Sequence, residues 1–112
     1  MTIFIKNNLK LTAPKGAQPE YRQMQVKNMT GRTGNPVANQ FIIYDDYGNV
    51  YFQSYLSTIV KLDQSGQVLL DDRTWDYSNT TAKYRREFLG EGVEATRAKI
   101  ASGEYILTNL NE

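Results

Sequence analysis

The sequence predicts an α+β domain: an antiparallel sheet of about five to six strands with two C-terminal helices on one face. Three observations carry this. Short segments that alternate apolar and polar residues, separated by turns bearing glycine or asparagine, fill the chain up to residue 70. From residue 81 the apolar spacing becomes helical, in two segments that end at Gly90 and Gly103. A last alternating segment at 104–110 then returns to strand. The length of 112 residues suits a single domain, 1–112, with one core.

In order, residues 2–5 and 9–13 pair Ile3 with Ile5 and Leu9 with Leu11 in short alternations. Asn7 and Asn8 between them suit a turn, so a small hairpin is expected. Residues 21–27 alternate with Met24 and Val26 on one face, which reads as a half-buried strand. The stretch NMTGRTGNPVAN, 28–39, reads as one long surface loop with Arg32 as its charge. Residues 40–45 form a short central strand, apolar on both faces, and 46–49 a hairpin turn around Gly48. Residues 50–55 return with Val50, Phe52 and Ser54 on one face, and Leu56 and Ser57 mark a bend. Segments 58–62 and 67–70 pair across a turn closed by Gly66. Ser78, Asn79 and Thr80 are all suitable N-caps for a helix with Tyr84, Phe88 and Leu89 inward. A second helix, about 93–101, turns Val93, Thr96 and Ile100 inward.

Composition excludes several kinds of chemistry. The chain has no cysteine and no histidine, so it offers no disulfide, no thiolate nucleophile, no Ser-His-Asp triad and no His-ligated metal. Thirteen Lys and Arg against twelve Asp and Glu leave a formal charge of +1, which argues against a protein that coats DNA and against one that imitates it. No apolar run nears the roughly 20 residues that cross a bilayer, and the opening MTIFIKNNLK lacks a signal peptide's apolar core. A cytoplasmic protein with no membrane contact, no catalytic residues, no cofactor and no bound metal is the expectation.

The strongest candidate for a partner-binding surface is basic and aromatic: Lys83, Arg85 and Arg86 on the first helix, with Arg73, Trp75 and Tyr77 before it. The competing reading is that Arg85 and Arg86 are only the solvated face of an amphipathic helix, with Glu87 and Glu91 close enough to pair with them. If they bind a partner instead, reversing both charges would remove capture and leave the fold intact. Arg32 in the Gly31-Arg-Thr-Gly34 loop is the second candidate contact, although no P-loop Lys-Ser/Thr follows it. Ser54, Tyr55, Thr80 and Thr81 supply hydroxyls for a candidate pocket, but hydroxyls without a base make no nucleophile. Asp45-Asp46 with Asp71-Asp72 and Asp76 would suit a hard cation, yet both pairs sit at strand ends where turn chemistry explains them.

The segments Ser54-Tyr55-x-Ser57 and Tyr77-Ser78-x-Thr80-Thr81-x-Lys83, leading into a helix that ends Phe88-Leu89, resemble a family of short proteins encoded by bacteriophages and other mobile elements. The resemblance spans about residues 49–90. It departs at Tyr84, where family members often carry a histidine, so that side chain's role does not carry over. The resemblance implies a phage or prophage accessory protein acting in the bacterial host's cytoplasm, such as an inhibitor of a defence system of the CRISPR kind.

Three functional classes follow. The first is a non-catalytic protein that occupies a host protein or protein complex, alone or as a homodimer. The second is a nucleic-acid-binding module using helix 81–89 and the Gly-Arg-Thr-Gly loop. The third is a carboxylate-based enzyme or small-molecule binder, which would need a closed pocket with an acidic pair. The first is favoured, because residue types, size and balanced charge all fit contact rather than bond-making.

Overall fold

The computed structural model describes residues 24–111. Its elements are β1 (Gln25–Thr30), β2 (Pro36–Tyr44), β3 (Val50–Ser54), β4 (Ser57–Leu62), β5 (Val68–Asp71), α1 (Asn79–Leu89), α2 (Val93–Ser102) and β6 (Tyr105–Thr108). They form the expected α+β architecture, a six-stranded sheet in the sequential order β1 to β6. The first four pairings are antiparallel and the last, β5 with β6, is parallel. The helical crossover produces this, since α1 and α2 return the chain to the end of the sheet where β5 began.

Two hairpins are set by the same local device. Asp45 Oδ1 accepts from the amides of Tyr47 (2.9 Å) and Asn49 (3.0 Å), and Asp63 Oδ1 from those of Ser65 (2.9 Å) and Gln67 (3.0 Å). The glycine that follows each, Gly48 at φ 89° and Gly66 at φ 94°, takes the left-handed backbone each turn requires. The two turns touch at one end of the sheet, where Gln64 N donates to Asn49 Oδ1 at 3.0 Å.

Register places Ile42, Phe52, Val60, Leu70 and Leu107 in one row across five strands, on the face that receives the helices. Phe52, Val60 and Leu70 are fully buried there, and the ring of Phe52 stacks on Phe88 of α1 with centroids 5.9 Å apart. A bulge at Ile59 turns that side chain into the core as well. Both helices end as glycine predicts: Gly90 (φ 72°) and Gly103 (φ 87°) return amides to Arg86 and Ile100 carbonyls. Ser78 is the N-cap among the three candidates, accepting from Thr81 N at 3.1 Å.

Several expectations shift. The hairpin over 2–13 lies outside the described residues. The loop expected over 28–39 shrinks to 31–35, because β1 runs on to Thr30 and β2 starts at Pro36. Pro36 is the first residue of its strand, where a missing donor is tolerated. Asn28 Nδ2 ties the two strands by donating to Val37 O at 2.9 Å; the register shifts between Asn28 and Thr30, with the extra residues on β2, and Met29 there is buried. Met24, expected inward, is exposed, and Val26 pairs with Ile43 on the helix-free face. The last strand is shorter than 104–110.

Phe52→Ala should lower unfolding free energy by about 3–5 kcal/mol in urea titration, through lost burial and the cavity left under Phe88.

A candidate protein-interaction rim

Sheet topology brings the 31–35 loop, the β3–β4 turn, the β5–α1 connection and residues 109–111 to one end of the sheet. At roughly 4.8 Å per strand, these loops span about 24 Å across the six strands. The Asp45 and Asp63 turns occupy the opposite end, so Asp45-Asp46 cannot join Asp71-Asp72 around one cation. Among the described residues no group of three or more acidic side chains is arranged to hold a metal ion.

The rim is fixed by side chains that bind backbone. Asp71, 1% exposed, accepts from the amides of Arg73 (3.2 Å) and Thr74 (3.0 Å), from Thr74 Oγ1 (2.7 Å), and from Leu110 N (2.9 Å). Burial alone would raise its carboxyl pKa. The Leu110 amide, the Thr74 hydroxyl, the Asn111 side chain and the Arg73 amide outweigh that and hold it below the ordinary 3.8. Asn111 closes the C-terminal segment onto β4 with two bonds to Thr58, at 2.7 and 2.9 Å. A shallow depression of about 320 Å³ lies among Ser57, Asp71, Arg73, Thr74, Asn109 and Asn111.

The β5–α1 connection is held from below by Arg85. This side chain is fully buried, and its Nη1 donates to Trp75 O (2.6 Å) and Asp76 Oδ1 (3.2 Å). Its guanidinium stands 5.1 Å from the Trp75 ring centroid, and that of Arg97 on α2 stands 5.7 Å away. Asp76 Oδ2 takes Arg97 Nη2 at 2.8 Å, so one carboxylate joins both helices to the connection. Arg85 is therefore not on a solvated face, and Glu87 and Glu91 do not pair with it. Glu91 instead pairs with Lys99 at 2.7 Å and accepts from Thr96 Oγ1 at 2.7 Å. The inward stripe of α1 is wide enough to take Thr81 and Arg85 one turn apart beside Tyr84 and Phe88. Residues 72–78 then fold back over the arginine.

The other candidate residues divide. Arg32, Arg73 and Tyr77 are exposed at the rim. Trp75 is half-buried, its ring taken up by two guanidiniums. Lys83 and Arg86 are exposed on α1, with Lys83 Nζ 5.2 Å from the Tyr84 ring. The hydroxyls read as a candidate pocket part company. Ser54 Oγ and Thr81 Oγ1 are buried and bonded to each other at 3.0 Å, fastening β3 to α1, while Tyr55 and Thr80 are exposed.

The residue the sequence reading missed is Leu56. Ser54 pairs with Ser57, so Tyr55 and Leu56 alone make the β3–β4 turn. Such turns favour Asn-Gly or a leading glycine, and a Tyr-Leu pair there was the available signal. Tyr55 sits at φ 55°, a left-handed backbone that strains a bulky residue by about 1–2 kcal/mol. Its amide donates to Asn39 O at 2.7 Å, and Asn39 is itself at φ 65°. Gln53 Nε2 holds the Tyr55 carbonyl at 2.7 Å. The result is a braced tip with Tyr55 50% and Leu56 95% exposed.

Two outcomes follow from this geometry. Arg85→Glu should cost about 3–5 kcal/mol by leaving a buried unpaired charge beside Asp76, whereas Arg86→Glu should stay within about 0.5 kcal/mol. Urea unfolding followed by fluorescence of Trp75, the single tryptophan, reads both. For Asp71, whose folded pKa is depressed, the stability it contributes is present above its unfolded value of 3.8 and is lost as pH falls through the lower folded value. The stability of Asp71→Asn should therefore fall less steeply than wild type below about pH 4 in acid unfolding curves.

No described helix is long and apolar enough to cross a membrane. No curated protein and no solved structure matches the chain. Residues 24–106, which include every element from β1 through α2 and the start of β6, match the family of unknown function DUF8033, and the chain belongs to that family.

Proposed function

We propose that the chain is a small, non-catalytic accessory protein of the bacteriophage type. On this reading it works in the bacterial cytoplasm by occupying the surface of a host protein, as an inhibitor of a defence complex such as CRISPR would. One observation carries the reading: Tyr55 and Leu56 project from a strained turn braced by Asn39 and Gln53. A rigid pair of large side chains loses little conformational freedom on entering a partner's apolar pocket, and backbone strain gathers at functional sites. Tyr77 and the cations Arg32 and Arg73 lie at the same end and supply a polar margin around that anchor. The Ser-Tyr and Tyr-Ser-x-Thr-Thr-x-Lys segments that resemble phage-encoded proteins flank this rim.

The nucleic-acid alternative loses its central cation to the core, since Arg85 is sequestered under Trp75. Lys83 and Arg86 remain on the exposed side of α1.

The test is affinity capture from a bacterial lysate with the tagged full chain, read by mass spectrometry. Tyr55→Gly relieves the positive φ, and Leu56→Ser changes a solvent-facing side chain, so both variants should keep the fold. Together they should weaken capture by about 30-fold or more, the loss of one interface hot spot. Undiminished capture by the double variant contradicts the reading. So does binding that nuclease abolishes and that falls steeply with salt.

A further inference from the structure

We propose that two copies of the chain join through the outer edge of β6, in antiparallel register, to make one continuous sheet. This rests on the sheet edge, which shares only Arg73 with the rim, and stands or falls separately from the Tyr55–Leu56 anchor. Among the described residues the sheet has two edges, β1 and β6. β1 carries a charge that discourages edge pairing, Lys27, and its register with β2 breaks between Asn28 and Thr30. β6 reads Tyr105-Ile-Leu-Thr108 and carries no charge, no proline and no bulge. Ile106 and Leu107, on opposite faces of this strand, are 43% and 41% exposed.

The backbone is oriented for such a pairing. Thr108 O accepts from Asp72 N at 2.9 Å, so Thr108 and Ile106 direct their amides and carbonyls towards β5. Parallel ladders alternate, which leaves the N–H and C=O of Tyr105 and Leu107 directed outward. A two-fold axis at Ile106 sets Tyr105 opposite Leu107 of the second copy, and each of the two symmetric pairs exchanges two hydrogen bonds. Ile106 meets its own copy on the helix-free face, closing both apolar side chains against water.

Two further features fit this partner. Arg97 reaches Trp75 and Asp76 and so marks the side of α2 that faces the β5–α1 connection. At 100° per residue Ala95 and Ser102 lie about 140–160° from Arg97 and Ala98 about 100°. These small exposed residues leave room for a second α2, while Lys99, also about 160° away, is folded onto Glu91 and Tyr105. The same register sets Glu104 level with Thr108 of the second copy, one strand from the exposed Arg73 that follows its Asp72. Each dimer thus holds two complementary charge pairs.

Sedimentation velocity on the full chain, at concentrations up to about 100 µM, should give twice the chain mass. Leu107→Lys should weaken self-association by about tenfold or more, with an unchanged circular dichroism spectrum. If that variant fails to fold, Ile106→Lys on the other face gives the same reading. Glu104→Arg should weaken the dimer roughly fivefold, and adding Arg73→Glu to the same chain should restore it. A single-chain mass at every concentration overturns the proposal. A dimer indifferent to both lysine variants, or a charge swap without rescue, overturns it equally.

Discussion

Burial of one guanidinium organises the helical half of the domain. Arg85 has no exposure, and an ion taken out of water is tolerated only when other groups replace its hydration. Here the Trp75 carbonyl, the Asp76 carboxylate and the Trp75 ring do so, and all three come from the irregular connection between β5 and α1. A segment without regular hydrogen bonding of its own thereby acquires a fixed path. Asp76 passes the constraint on to α2 through Arg97, so the two helices and the connection are positioned together. Nε and Nη2 of Arg85 make no hydrogen bond, so this junction is costly and specific rather than strongly stabilising.

The rest of the rim follows from the same economy of irregular backbone. Asp71 gathers the start of the connection and the C-terminal segment around one carboxylate, and Ser54 with Thr81 ties the β3–β4 hairpin to the first turn of α1. The β3–β4 turn, the β5–α1 connection and the C-terminal segment are therefore held by side chains, while the 31–35 loop closes on its own backbone bonds. The strain at Tyr55 persists because its neighbours over-determine it. Four loops of unrelated sequence end up at one end of the sheet. The opposite end, with its paired Asp-x-x-Gly turns, is plain hairpin chemistry.

Much of the fold was legible in the sequence, because period and punctuation are local. The face of β3 that carries Phe52 and Ser54, the glycine turns, a helix cap within 78–80 and both glycine helix ends all follow from nearest neighbours. What failed depended on distant residues. The segment 28–39 looks like loop by composition, yet the pairing of β1 with β2 recruits most of it into strand. Arg85 looks solvated on a helical wheel, because nothing local says that Trp75 and Asp76 will fold back over it. The direction of β6 depends on the crossover, not on its four residues. Leu56 was the legible signal left unread: a leucine in a two-residue turn has no structural reason to be there.

The central claim is that the basic cluster on α1 divides into a buried structural cation and exposed ones. Hydrogen exchange of the arginine Nε–H groups, resolved by nitrogen-15 NMR, addresses it most directly. Arg85 should exchange orders of magnitude more slowly than Arg86, and its resonance should carry a ring-current shift that disappears in Trp75→Leu. An Arg85 signal exchanging as fast as that of Arg86, indifferent to Trp75, would contradict the account.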